Sequence, residues 1–199
     1  LNLCASGDPV DLFQALNGAD LGGSWTNPSN GSFGGTFIPG TSATGNYTYT
    51  IPGIAPCPSV SAVIAVNVVS NADAGGNGSI SLCSSANAIS LFTLLQGTPD
   101  AGGDWLAPDG TAFSGTLNAQ SEMAGTYTYV VVVPSPCVND TAQVQVGVTL
   151  AVDAGIDSSI TLCSSNPPID LLAQLGGSPD ESGTWSGPGG PSSSSFNPS

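Results

Sequence analysis

One period governs this chain. Trp25, Trp105 and Trp185 stand 80 residues apart, and so do Gly45 and Gly125, Tyr47 and Tyr127, Tyr49 and Tyr129, and Cys57 and Cys137. Cys4, Cys83 and Cys163 follow at intervals of 79 and 80. The one-residue slip is local: "GADLGGSW" in the first copy stands against "GTPDAGGDW" in the second and "GSPDESGTW" in the third. A register kept across so many residue types means tandem copies of one folding unit. The copies divide as residues 1–70, a module lacking its first strand; 71–150, a complete module; and 151–199, the first part of a third. The opening "LNLC" falls inside a module, as expected of a stretch cut from something longer, with any targeting segment outside it.

Within the complete module, "SISLC" alternates Ile80 and Leu82 with serine, the period-two mark of a strand. "NAISLFTLLQG" predicts a short helix capped by Asn87, with Leu91 and Leu95 on one face and Gly97 at the stop. The matching "GDPVDLFQALNG" offers Asp8 as cap, Pro9 at the first helical position and Gly18 at the end. "GGDW" starts a strand, "GTAFSGTLNA" holds a weak one, and "GTYTYVVVV" and "AQVQVGVTLAV" are strongly alternating strands joined through a Pro–Cys turn. The expected fold is all-β: tandem immunoglobulin-like β-sandwich modules of about 80 residues, each with a short helix after its first strand. Trp25, Trp105, Trp185, Tyr47, Tyr49, Tyr127 and Tyr129 are the expected core.

Composition then excludes whole classes of function. There is no Lys, Arg or His among 199 residues, and 14 acidic side chains leave a net charge of −14. No intramolecular salt bridge between side chains can form, and no lysine-based isopeptide bond. Basic recognition of phosphate or nucleic acid is ruled out, and the charge repels DNA and anionic lipid alike. No apolar run reaches the roughly 20 residues that span a bilayer, so no membrane insertion is expected. Divalent cations, neutral glycans and copies of the chain itself are the partners such a surface favours.

Each module places one cysteine at the end of its first strand and one after the tyrosine strand. The expected bridges are Cys4–Cys57 and Cys83–Cys137, with Cys163 waiting for a partner outside this stretch. With no His and no Cys-x-x-Cys, zinc is disfavoured; disulfides imply an oxidising, extracellular setting.

The junctions "NADAGGNGSI" and "AVDAGIDSSI" align Asp73 with Asp153 and Asn77 with Asp157. With Asp100 or Asp180 as a further oxygen donor they suggest calcium at the module joints; the plainer reading is that Asp and Gly make the linker turn. No other cofactor is required. One tryptophan per module suits a core residue better than a sugar-stacking platform. No catalytic residue is expected: the only acids and bases are carboxylates, and pairs such as Asp100 with Asp104, or Asp180 with Glu181, fall in turns whose residues change between copies. Sheet edges here lack the lysines that commonly guard them, so an edge could pair with another chain.

The pattern "DAG…SITLCSS…IDLLAQLGGSPDESGTWSGPGG", with "AGTYTYVVVVPSPC…AQVQVGV", resembles the immunoglobulin-like repeats of giant Bacteroidota surface proteins. These include gliding-type adhesins and other adhesive filaments exported by type IX secretion. The resemblance implies an extracellular, cell-surface location and a structural repeat region. That region would extend, or bundle with copies of itself, to present an adhesive tip to surfaces or other cells through parts outside this stretch. It also implies O-glycosylation at Thr141, within "DTA". The alternative is a glycan-binding module array on a secreted protein.

Overall fold

The computed structural model describes residues 1–199 and divides into two compact units, residues 1–82 with 86–148, and residues 83–85 with 149–199.

The first unit holds two copies of one sandwich. In the first copy the strands are β1 (Asn2–Cys4), β2 (Val10–Asp11), β3 (Ser24–Thr26), β4 (Ser32–Phe33), β5 (Thr36–Phe37), β6 (Gly45–Ile51) and β7 (Val60–Val69). The second copy repeats them as β8 (Gly78–Cys83), β9 (Ile89–Ser90), β10 (Asp104–Leu106), β11 (Ala112–Phe113), β12 (Thr116–Leu117), β13 (Gly125–Val131) and β14 (Asp140–Thr149). One layer is a five-stranded sheet, ordered β1-β7-β6-β3-β4 and again β8-β14-β13-β10-β11. The other is a two-stranded pair, β2 with β5 and β9 with β12. A penultimate strand flanked by the last strand and the tryptophan strand is the immunoglobulin-like arrangement.

Alternation explains the burial. Along β6, Tyr47 and Tyr49 turn inward; along β7, Ile64 and Val66 do so; Leu12 and Phe37 close the core from the other layer. In the second copy Tyr127, Tyr129, Val131, Ala142, Val144 and Val146 meet Leu91 and Leu117. Trp25 and Trp105 are only 8% and 7% exposed, each register-paired with a tyrosine, Tyr49 and Tyr129. Their rings stack obliquely at centroid distances of 5.0 Å in both copies.

The tyrosines do what a disulfide does elsewhere. Tyr47 donates its hydroxyl to the Ala43 carbonyl at 2.7 Å, and Tyr127 to the Met123 carbonyl at 2.8 Å. Such a tyrosine corner, in antibody domains, stands two residues before the second cysteine of the inter-sheet bridge. Here that place belongs to Tyr49 and Tyr129. The Tyr129 hydroxyl accepts from the Gly103 amide at 2.8 Å and donates to the Asp100 carbonyl at 2.7 Å, and its ring meets Phe92 edge-on. Tyr49 does the same with Gly23, Asp20 and Phe13.

Three expectations are corrected. The helix is a 3-10 turn, Leu12–Ala15 and Leu91–Leu94. The caps fall later than Asp8 and Asn87: Asp11 accepts from the Phe13 amide, and Ser90 occupies the cap without a side-chain bond. Val10–Asp11 and Ile89–Ser90 are held extended by β5 and β12, so too few residues remain for an α-helix, and Pro9 precedes the turn by too many positions to start it. The weak strand at "GTAFSGTLNA" is two short strands broken at Gly115, whose φ of +81° suits glycine and whose hydrogen faces the Trp105 indole, where a Cβ would stand 2.8 Å from Cδ1. Finally, the first copy keeps the last three residues of its first strand as β1, parallel to β7 in the register Cys4↔Val69.

The second unit repeats the opening of the module: a 3-10 turn at Leu172–Gln174, and strands β15 (Ile169–Asp170), β16 (Trp185–Gly187), β17 (Gly190–Ser192) and β18 (Ser195–Phe196). Strand β15 pairs with β18 and β16 with β17. Trp185 is half-buried.

Candidate functional site at the module junction

The expected bridges do not form. Cys4 is bonded to Cys137, across 133 residues and from one module to the next, with Cα atoms 5.0 Å apart. Cys57, Cys83 and Cys163 are free and exposed. The reason lies in strand direction. The first strand runs parallel to the last, so its cysteine aligns with the last strand's C-terminal end, at Val69. Cys57 lies before Val60, at the opposite end of a 10-residue strand. That separation is about 30 Å at 3.3 Å per residue, far outside the roughly 7 Å a disulfide tolerates. Cys83 and Cys137 are kept apart in the same way. The amide of Gln143, early in β14, donates to the Asn77 side chain, and the Ser84 amide donates to the Thr149 carbonyl at the strand's end.

The junction around the bond has almost no slack. Val69 still belongs to β7, where its carbonyl accepts from the Ala5 amide at 2.9 Å. Two residues on, the Asn71 side-chain oxygen accepts from the Ser6 amide at 3.2 Å and lies 3.0 Å from the Cys4 sulfur. From Asp73 onward the chain is already fastened to the second module. The Asp73 amide donates to the Asp100 carboxylate at 3.0 Å, and the Asp100 amide donates back to the Asp73 carbonyl at 2.7 Å. Ala74, fully buried, donates its amide to the Asp140 carboxylate at 2.8 Å, and Gly76 exchanges two backbone bonds with Gln96. A shallow cleft of about 440 Å³ runs beside the disulfide, lined by Ser6, Asn71, Pro136, Asn139 and Asp140 among others.

Most of the residues considered as calcium ligands take part in such bonds. Asp73 also accepts from the Gly75 amide, Asp100 from Asp73, and Asn77 from the Gln143 amide. In the second unit Asp153 and Asp180 repeat the Asp73–Asp100 bracket, and Asp157 makes no side-chain bond. No group of three or more His, Cys, Asp or Glu side chains comes together to hold a metal ion. The aspartates make turns by accepting backbone amides.

Thr141 is exposed on β14, next to the Asp140 carboxylate that its own amide also meets. Asn71, Ser6 and Asp140 were not visible as junction residues in the sequence. Asn71 has Ala151 as its counterpart 80 residues on, so the repeat gives no sign of it. One feature near the free thiols stands out electrostatically: the Ser85 hydroxyl, 3.1 Å away, and the nearby amides hold the Cys83 thiol below its usual range.

No protein-family model and no curated protein matches the chain. Among solved structures it is similar to extracellular domains 3–5 of Drosophila OTK, at 16% identity and a TM-score of 0.46, with 75% of this chain and 59% of that one covered. It is also similar to the insect immune protein hemolin, at 14% identity and a TM-score of 0.38, covering 75% and 44%. The chain thus spans about six-tenths of the one and under half of the other. The immunoglobulin-like assignment stands on this protein's own strand order and tyrosine corners.

Proposed function

We propose that this chain is a spacer region of a long extracellular filament or stalk, whose modules hold an adhesive element at a distance from the cell surface. The observation that carries this reading is the junction. Two sandwiches follow each other with hardly a free residue between them, the linker fastened to the second by Asp73 and Asp100 and the two modules cross-linked by Cys4–Cys137. A joint built this way transmits orientation and force; it offers no chemistry. The disulfide favours an oxidising location outside the cytoplasm. No helix is long and apolar enough to cross a membrane. The resemblance to giant Bacteroidota repeats, exported by type IX secretion, fits the same picture, as does glycosylation at the exposed Thr141. The outer edges at β4 and β11 are open to lateral pairing with other copies.

Electron microscopy of the purified secreted protein tests this. The expected result is rods with a module period of about 35–40 Å, from strands of roughly 10 residues at 3.3 Å each. Flexible, bead-like chains with no fixed angle between modules would count against it. The glycan-binding alternative gains no support from Trp25 and Trp105, which lie in the cores.

A further inference from the structure

We infer that Cys57 and Cys83 are the two open halves of the same cross-link that joins Cys4 to Cys137. In an array, the first-strand cysteine of each module bonds the loop cysteine of the module after it. The partner of Cys83 is therefore the loop cysteine about 80 residues beyond Cys137, and Cys57 bonds the first-strand cysteine of the preceding module. This rests on the tandem-array reading above and adds to it a covalent connectivity that runs between modules.

The local structure of each free cysteine matches that of its bonded counterpart. Cys83 ends a first strand as Cys4 does. The following amide, Ser84, reaches the Thr149 carbonyl at 2.8 Å, as Ala5 reaches Val69 at 2.9 Å. A serine hydroxyl stands near each sulfur, Ser85 at 3.1 Å and Ser6 at 3.5 Å. Cys57 precedes β7 by the same three residues as Cys137 precedes β14, and both loops close with an amide-to-carbonyl bond, Cys57 to Ile54 and Cys137 to Pro134. Pairing inside a module is prevented by the strand direction already described. The depressed Cys83 thiol supplies more of the attacking thiolate.

Bond formation removes two protons and two electrons from the two thiols, and a disulfide-bearing oxidoreductase accepts the electrons. The Cys83 thiolate attacks the oxidant's disulfide, forming a mixed disulfide and releasing one oxidant thiolate. The loop thiolate of the next module then attacks the Cys83 sulfur and expels the second, leaving the oxidant as a dithiol.

The consequence is mechanical. Between one cross-link and the next, the backbone runs the 26 residues from Cys57 to Cys83, and again the 26 from Cys137 to Cys163. In the first of these, 10 residues lie in β7 and 6 in β8, already extended. The path advances two modules, and its full contour is about 90 Å, against roughly 70–80 Å for two folded modules. A fully bonded array therefore cannot lengthen by more than about a quarter, whatever happens to its cores.

The test is peptide mapping of the native secreted protein, alkylated without reduction and cut by proteases acting at aromatic or acidic residues, since no Lys or Arg is present for trypsin. The expected product is the Cys83 peptide linked to the loop peptide of the following module. An alkylated Cys83, or Cys83 linked to Cys137, overturns the inference. Pulling single native molecules gives a second readout. Module-sized lengthening steps, about 240 Å each, should appear only after a reductant is added. Such steps without reductant also overturn it. If Cys83 is free while microscopy shows rods of regular module period, the covalent connectivity fails and the spacer reading stands; if no rods form, the spacer reading fails on its own evidence.

Discussion

The amide of Gly103 lies 2.8 Å from the hydroxyl of Tyr129, and the glycine's missing side chain is what lets the ring reach it. A Cβ there would stand 2.5 Å from the Val130 carbonyl and 2.8 Å from the ring. Gly103→Ala is expected to destabilise the second module by about 1–3 kcal/mol through overpacking. Tyr129→Phe strands the Gly103 amide and the Asp100 carbonyl at a cost of similar size. Denaturant unfolding measures both, and midpoints equal to wild type would refute the role given to this tyrosine.

Cys4→Ser should weaken the two-module unit substantially. The chain-entropy estimate for a loop of 133 residues is roughly 5 kcal/mol. Cys57→Ser and Cys83→Ser should change little in the isolated 199-residue chain, where both thiols are free. Thermal unfolding of the three variants, with and without reductant, checks the contrast. Equal losses in all three would point back to bridges within modules.

Burial raises the Tyr47 phenol above its ordinary pKa of 10.0, and burial with the nearby Glu122 and Asp109 raises Tyr127. The folded state therefore holds these protons more tightly than the unfolded chain. Their contribution is complete below the unfolded pKa and is lost as pH rises through the higher folded values. Alkaline titration followed by phenolate absorbance should show Tyr47 and Tyr127 ionising late, with their release accompanying unfolding. Ionisation of Tyr47 and Tyr127 at the free value, with the fold intact, would contradict this.

At the joint, a chelator is expected to leave the melting temperature of the protein unchanged, because Asp73 and Asp100 already accept backbone amides. Asp100→Ala should lower stability by about 1 kcal/mol, while Asp100→Asn, which keeps an acceptor oxygen, should lose less. A calcium-dependent rise in melting temperature that disappears in Asp100→Ala would mean that these carboxylates bind metal after all.

Much of this architecture could be read from the letters alone, because period-two alternation in "GTYTYVV" and "AQVQVGV" leaves one face for Tyr127, Tyr129, Val144 and Val146 to bury. The tryptophans were legible for the same reason, each facing a tyrosine across a strand pair. The cysteine partners were not. Counting two per module suggests a bridge inside it, and nothing in composition or spacing reveals that the first and last strands run parallel. The helix misreading has a related origin: Asp8 and Asn87 look like caps until β5 and β12 hold the residues after them extended. The Asp73–Asp100 bracket was half visible, as aspartates at equivalent positions, but nothing in the letters shows that the Asp100 carboxylate meets the Asp73 amide 27 residues earlier.

Tyr49 and Tyr129 close their cores without sulfur, so each module can finish folding while every thiol is still reduced. Cys4 and Cys137 meet only once two completed neighbours abut. On the connectivity inferred above, oxidation would act as a checkpoint on assembly: a defective unit would leave an unclaimed thiol on either side of it.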